Sequence, residues 1–145
     1  MSAHTVENII LLAKKRHWEE LQKLSVCTEF VETIGWIIHQ IQIERGLSCL
    51  YLASYGQRMA EARIQIVEEN RALEQRFRQG LHDHLDQQCN TDAKQLTLIS
   101  WILLGFDELK ALRYKVTLMK ISFSYCIQSY TRFISSLVSL IFEIT

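Results

Sequence analysis

The sequence contains no proline and only five glycines in 145 residues. Proline breaks the interior of a helix and glycine destabilises it, so their scarcity favours long, uninterrupted helices. The chain also has no net charge, because sixteen lysines and arginines balance sixteen acidic residues. We therefore expect no direct contact with nucleic acid, since binding to phosphate groups depends on an excess of positive charge.

Other absences exclude a membrane protein and a disulfide-rich protein. No apolar run approaches the roughly 20 residues that a membrane-spanning helix needs, and the first fifteen residues lack the pattern of a signal peptide. The four cysteines include no Cys-x-x-Cys pair, which favours reduced thiols over a disulfide framework. These absences predict a cytoplasmic protein that does not associate with a membrane.

The motifs of the common enzyme classes are missing as well. The sequence has no glycine-rich phosphate loop, nucleophile elbow, zinc-ligand spacing or Glu-x-x-His motif. His82 and His84 form a His-x-His pair, which we interpret as a solvated helix end. Asp107 and Glu108 are adjacent and point in different directions on a helix, which argues against an acid/base pair. We expect neither an enzyme nor a bound cofactor or metal.

Apolar spacing predicts five helical segments and an all-α fold, an antiparallel bundle of the four-helix type with long helices. The segments cover about 5–24, 28–55, 58–85, 91–118 and 123–145. Residues 25–28 are either a short break or a weak point in one longer helix. Asn90 or Thr91 could cap the fourth segment, because short polar side chains accept hydrogen bonds from the first free backbone N–H groups of a helix.

The last segment carries apolar residues at steps of four and three, a spacing typical of bundle packing. They are Phe123, Ile127, Tyr130, Ile134, Leu137, Ile141 and Ile144. Val138, Leu140 and Phe142 make its final turns apolar nearly all round, so we expect that end to be buried on all sides. Either further chain or a second subunit would cover it.

An arginine interrupts the apolar line of the second segment. The line consists of Ile34, Ile38, Ile41 and Leu52. At the same spacing Arg45 and Ser48 share this face, so Arg45 should point inward. A buried guanidinium stays charged and needs a negative partner. That partner is either a carboxylate of the chain, such as Asp107 or Glu108, or an external anion.

The neighbours of Arg45 suit a small planar oxyanion. Gln42 precedes it by one turn and Ser48 follows it by three residues, so both could add neutral hydrogen bonds beside the guanidinium. Gly46 permits close approach of a helix or a ligand to the backbone. Structural ion pairs are the commoner role of such an arginine, so spacing alone leaves both alternatives open.

Two further arginines are candidates for the same site, Arg113 and Arg132.

Residues 37–56, IIHQIQIERGLSCLYLASYG, resemble the start of the nitrate- and nitrite-sensing (NIT) domain of antitermination regulators and bacterial receptors. The resemblance continues in order through residues 99–116, ISWILLGFDELKALRYKV, and residues 129–141, SYTRFISSLVSLI. Its core is the motif Gln-x-Glu-Arg-Gly-x-Ser, which consists here of Gln42, Glu44, Arg45, Gly46 and Ser48.

The resemblance implies an all-helical domain of two four-helix bundles joined by long helices. It also implies that arginines bind nitrate or nitrite between the helices, and the matching arginine in this chain is Arg45. Glu44 is expected to orient the site or stabilise the helix, because a carboxylate would repel the anion. A second arginine motif of the family and its RNA-binding output module have no counterpart here, so residues 1–145 are interpreted as a single helical domain that corresponds to the first half of a NIT domain.

These inferences predict a sensory domain that binds nitrate or nitrite through Arg45, with Gln42, Gly46 and Ser48 beside it, and that signals by helix rearrangement in antitermination control. A homodimer through residues 137–144 could replace the missing half and bring two Arg45 side chains near the two-fold axis. The alternative is a structural helical module for dimerisation or partner binding, in which Arg45 is paired internally.

Overall fold

A computed structural model describes residues 5–87 and 91–145, which form four α-helices. They are α1 (Val6–Ala53), α2 (Ala60–Asp86), α3 (Ala93–Thr117) and α4 (Phe123–Ile144). No strand occurs in these two ranges, and the prediction of an all-α helical bundle is confirmed. None of the helices in the same ranges is both long and apolar enough to cross a bilayer.

The first two predicted segments are one helix. α1 contains 48 residues, about 72 Å at 1.5 Å per residue, and it continues through residues 25–28. That stretch contains neither proline nor glycine, and the Thr28 hydroxyl donates to the Leu24 carbonyl oxygen at 2.8 Å within the helix. Nothing in the local sequence therefore breaks the backbone hydrogen-bond ladder.

The other helices begin near their predicted positions. Asp92, and not Thr91, caps α3, because its carboxylate accepts a hydrogen bond from the Gln95 backbone N–H at 2.8 Å. Asn90, the alternative cap, lies outside the described residues. Ser122 caps α4 in the same way through the N–H of Tyr125. Short polar side chains thus satisfy N–H groups that the first helical turn leaves free.

Neighbouring helices run antiparallel. Phe30 of α1 stacks on His84 of α2 with 4.7 Å between ring centroids, while Ser48 contacts Arg63, so α2 runs back along α1. The same reversal joins α2 to α3, α3 to α4 and α4 to α1. The core lies between the four helices and contains apolar side chains of each, including an aromatic row of Phe30, Phe77, Phe106 and Phe133.

His84 corrects the interpretation of the His-x-His pair as a solvated helix end. His82 is exposed and pairs with Asp86, as expected of such an end. His84 is completely buried between α1 and α2, because a step of two residues turns a side chain to the opposite side of a helix. Its burial lowers the pKa of the imidazole below its ordinary value.

Two apolar regions of the helices remain outside the core. Residues 6–25 of α1 are exposed throughout, although they include Val6, Ile9, Ile10, Leu11, Leu12, Trp18, Leu21 and Leu24. At the end of α4, Phe142 is 74% exposed and Val138 is 36% exposed. Within the described part of the chain α4 packs mainly on α1 and α3, so the expectation that its end is buried by further chain or a second subunit stays a prediction.

Candidate anion-binding site

The buried face of α1 differs at two positions from the face that the sequence indicates, with Ile37 in place of Ile38 and Glu44 in place of Arg45. Its buried positions are Phe30, Ile34, Ile37, Ile41, Glu44, Ser48, Cys49 and Leu52. Ile38 is half-buried, and so is Arg45. The expectation that Arg45 points into the core is thus wrong, and Glu44 occupies the interior instead. Steps of three and four from Ile34 fit both lines, so the true face depends on how the other helices surround α1.

Glu44 is completely buried and binds side chains from all three other helices. From α3, Arg113 makes a bidentate ion pair with it, with Nη2 2.7 Å from Oε1 and Nε 3.0 Å from Oε2. From α2, the Asn70 amide nitrogen donates to Oε1 at 2.9 Å. From α4, the Tyr130 hydroxyl donates to Oε2. One carboxylate thereby joins the whole bundle at a single level.

The surroundings of Arg113 and Tyr130 keep both side chains protonated, so that both donate hydrogen bonds to Glu44. Burial lowers the pKa of the Arg113 guanidinium, but the hydrogen bond and charge of Glu44 outweigh it, so the pKa is raised overall. Burial, followed by the charge of Glu44, raises the pKa of the Tyr130 phenol well above its usual range. Arg113 therefore remains a cation and Tyr130 a neutral donor to the carboxylate.

A second buried arginine completes the polar layer. Arg63 is 4% exposed, and its guanidinium stacks over the Tyr51 ring with 5.4 Å to the centroid. It donates to the Arg113 carbonyl at 2.9 Å, to the Thr117 hydroxyl at 3.0 Å and to the Ser48 hydroxyl at 3.4 Å. All of these acceptors are neutral, so the layer contains two buried guanidinium groups around one buried carboxylate. We name this layer, Glu44, Ser48, Arg63, Asn70, Arg113 and Tyr130, the Glu44 cluster.

Arg45 lies at the edge of the bundle, where α1 meets α4. Its Nη1 donates to the Thr131 hydroxyl at 3.2 Å. Within residues 5–87 and 91–145 it forms no ion pair. The carboxylates suggested as its partners lie elsewhere, since Asp107 is 77% exposed and faces Arg78 at 3.9 Å, and Glu108 is exposed. The guanidinium is therefore charged, partly accessible and without a carboxylate among the described side chains.

Of the other predicted site residues, two lie on the exposed surface of α1 and one lies in the interior. Gln42 is exposed. Gly46 is also exposed, and a Cβ atom added there would meet nothing within 4 Å, so no helix of the described ranges requires a glycine at that position. Ser48 is buried, and its hydroxyl lies 3.2 Å from that of Tyr130. The role of these four residues in anion binding stays a prediction.

Sequence reasoning assigned Glu44, Ser48, Arg113 and Tyr130 to other roles, and it did not connect the remaining two residues of the Glu44 cluster with them. Arg113 was a candidate for the anion site and is instead the ion-pair partner of Glu44. Arg132, the other candidate, lines a groove between α3 and α4 together with Trp101 and Tyr125. The useful signal was the alternative line through Ile37 and Glu44, which would have indicated a buried acid that needs a cation.

Comparison with known proteins identifies the family. The sequence profile of the family described as nitrate and nitrite sensing, NIT, matches residues 37–145, more than half of the chain. The chain belongs to this family. The match includes the whole of the Glu44 cluster and Arg45, but not the exposed residues 6–25.

A solved structure shows the same fold. The structure of the NasR transcription antiterminator resembles this NIT chain with a TM-score of 0.74 and 21% sequence identity. The match covers 92% of this chain and 36% of the NasR chain, so the present chain spans little more than a third of NasR. No curated protein matches the chain.

Proposed function

We propose that this chain is a sensory domain in which the Arg45 guanidinium binds nitrate or nitrite. The observation that carries the proposal is a partly accessible arginine, in a member of the nitrate- and nitrite-sensing family, that forms no ion pair in the described ranges. A guanidinium presents planar, paired N–H donors, which match the planar oxygens of nitrate. Such a side chain suits a small exchangeable anion better than a permanent structural role.

The surroundings of Arg45 support a shallow site between α1 and α4. The Thr131 hydroxyl already contacts the guanidinium and can turn its proton towards an anion. Gln42 lies one turn away on the exposed surface, and Gly46 leaves the backbone side of the site open. Ser48 lies in the interior behind this site, and its hydroxyl contacts that of Tyr130, the residue before Thr131.

Binding at this edge would signal by changing the placement of α1 against α4. An anion can shift that equilibrium only by the difference between its affinities for two helix arrangements. The Arg45–Thr131 contact bridges the two helices, so an anion inserted between these side chains would favour one spacing over another. Because the NasR structure is of a transcription antiterminator, we propose that the readout of this cytoplasmic domain is antitermination.

A second copy of the chain is proposed to complete the site. The exposed apolar residues at the end of α4, Val138 and Phe142, provide a surface for a two-fold contact. In that arrangement residues 1–145 act as one half of a NIT domain, and the partner supplies the other half. A monomer in light scattering at the concentrations used for titration would contradict this part of the proposal.

The decisive experiment is a calorimetric nitrate titration in buffer balanced with chloride, on the wild-type chain, on Arg45→Ala and on Arg71→Ala. Arg71 is a matched control, because it is an exposed arginine on α2 that pairs with Glu68. We expect saturable binding to the wild type and to Arg71→Ala, and none to Arg45→Ala. Nitrate should also raise the melting temperature of the two binding proteins, since a ligand of the native state stabilises it.

The alternative function is a structural module for dimerisation or partner binding. The exposed apolar side chains of residues 6–25 and of the α4 end favour it, since such surfaces often mark protein contacts. This alternative predicts no heat and no nitrate-dependent melting shift in any of the three proteins. Concentration-dependent association with no effect of nitrate would then identify the module as structural.

A further inference from the structure

We propose that Glu44 is the residue that couples anion binding at Arg45 to α2, α3 and α4. This inference rests on the proposed function, because it assumes an anion at Arg45. Glu44 does not touch the ligand in this proposal and acts as a positioning residue. The geometry that points to it is a single buried carboxylate with one partner side chain on each of the three other helices.

The first step in the argument is the adjacency of the edge site and the Glu44 cluster. Glu44 and Arg45 are consecutive on α1, and their partners Tyr130 and Thr131 are consecutive on α4. Successive side chains of a helix are about 100° apart and are carried by one rigid backbone. A rotation or shift of α1 that improves the contacts of Arg45 with an anion must therefore also move the Glu44 carboxylate.

The second step is that the interior cannot absorb such a movement gradually. The carboxylate is held by the Arg113 fork at 2.7 and 3.0 Å, and by Asn70 at 2.9 Å. A small displacement of either partner lengthens charge-assisted hydrogen bonds in a dry interior, where unpaired charges are costly. The side chains of α2, α3 and α4 must follow α1 or adopt a second arrangement.

The third step is that the Glu44 cluster contains polar atoms that can form other hydrogen bonds in a second arrangement. Asn70 is 3% exposed, and its side-chain oxygen has no hydrogen-bond partner within the described ranges. Arg63 and Arg113 together bring more N–H donors than the Glu44 carboxylate accepts. A shift of α1 can thus exchange one set of hydrogen bonds for another, which provides the two discrete states that a switch requires.

The test uses variants that remove one partner of Glu44 at a time. Tyr130→Phe removes the α4 hydrogen bond and Asn70→Ala removes the α2 hydrogen bond, whereas both keep the ion pair with Arg113. Tyr51→Phe is the matched control, because the Tyr51 hydroxyl donates to the Thr117 carbonyl and does not contact Glu44. Glu44→Gln removes the charge itself, and the two milder variants keep the test valid if that protein does not fold.

The measurements are the nitrate dissociation constant and nitrate-induced changes in amide hydrogen exchange. In the wild type and in Tyr51→Phe, we expect nitrate to change exchange in α2 near Asn70, in α3 near Arg113 and in α4 near Tyr130. Asn70→Ala should lose the response in α2 only, and Tyr130→Phe should weaken the response in α4, where the direct contact of Arg45 with Thr131 remains. Each should change the dissociation constant about fivefold, the low end of usual coupling.

The outcomes separate this inference from the proposed function. Nitrate binding with the same affinity and the same exchange pattern in all variants would overturn the role of Glu44 and leave Arg45 as the anion-binding residue. A uniform loss of response in every helix of Asn70→Ala would also overturn it, because that pattern indicates general destabilisation. Failure of the wild-type chain to bind nitrate would overturn both proposals.

Discussion

The Glu44 cluster and the edge around Arg45 contain similar side chains in different surroundings. Arg113 and Arg63 are almost completely buried, so their donors are used by Glu44 and by neutral oxygens of the chain. Arg45 lies one residue from Glu44, but it is half-buried, and its guanidinium donates to a hydroxyl and forms no ion pair in the described ranges. The same chemical group therefore holds the fold together in the interior and remains available to an anion at the edge.

The largest expected effect is the loss of stability when the charge of Glu44 is removed from the interior. Glu44→Gln leaves Arg63 and Arg113 buried without a negative partner, so we expect the free energy of unfolding to fall by about 3–5 kcal/mol. Arg113→Met is the companion variant, because it leaves the carboxylate unpaired instead. Urea denaturation measures both. A loss below about 1 kcal/mol in Glu44→Gln would show that the Glu44 cluster contributes no more to the free energy of unfolding than surface side chains do.

Two glycines extend the comparison to the backbone. A Cβ atom at Gly105 would lie 2.6 Å from the Phe133 ring, so Gly105→Ala should destabilise the fold by about 1–3 kcal/mol. At Gly46 nothing lies within 4 Å, so Gly46→Ala should stabilise α1 by about 0.5–1 kcal/mol. Thermal unfolding of the two variants measures the difference. Equal changes in both would contradict the described packing of α3 on α4.

The pH dependence of stability compares the buried His84 with the exposed His82. Burial lowers the pKa of His84 in the folded state, whereas unfolding restores its ordinary value near 6.5. The unfolded chain then binds the proton more readily, so the stabilisation is complete above pH 6.5 and is lost as the pH falls below it. Urea unfolding at pH 7.5 and 5.5 should show this loss in the wild type and in His82→Gln, and a smaller loss in His84→Phe.

The smallest stability effect is expected at the edge. Arg45→Ala removes one hydrogen bond to an exposed hydroxyl, so the free energy of unfolding without nitrate should change by less than about 1 kcal/mol. Its effect should become visible only when nitrate is added, because the wild type is then stabilised and the variant is not. Thermal unfolding with and without nitrate checks this. A large loss in chloride alone would show that Arg45 is structural.

Several elements were predictable because they depend on local chemistry. The scarcity of helix breakers and the three-and-four spacing of apolar residues were enough for an all-α bundle, and α4 begins at Phe123, where the last predicted segment starts. The motif around Arg45 was sufficient to recognise the NIT family, and the family profile confirms it. The sequence did not decide whether residues 25–28 break the helix. The structure shows one continuous helix there, since a helix can pass through a stretch of weak propensity that contains no helix breaker.

The exposed and buried faces of the helices were not predictable to the same degree. Residues 6–25 include eight large apolar side chains, yet all of them are exposed in the described part of the chain. Ile37 and Ile38 have identical side chains, so apolar spacing cannot show which of them faces the core. A one-step error at that point moved the interior line from Glu44 to Arg45.

By itself, the sequence determined the helices, their order and the family, because backbone hydrogen bonds, caps and periodic apolar residues act over a few neighbouring positions. Only the tertiary structure decided that Glu44 is buried and Arg45 is not. The partners that make a buried carboxylate tolerable, Asn70, Arg113 and Tyr130, are 26, 69 and 86 residues away in the chain. Packing brings them to one level, and their combined charge and hydrogen bonds stabilise Glu44 in the interior.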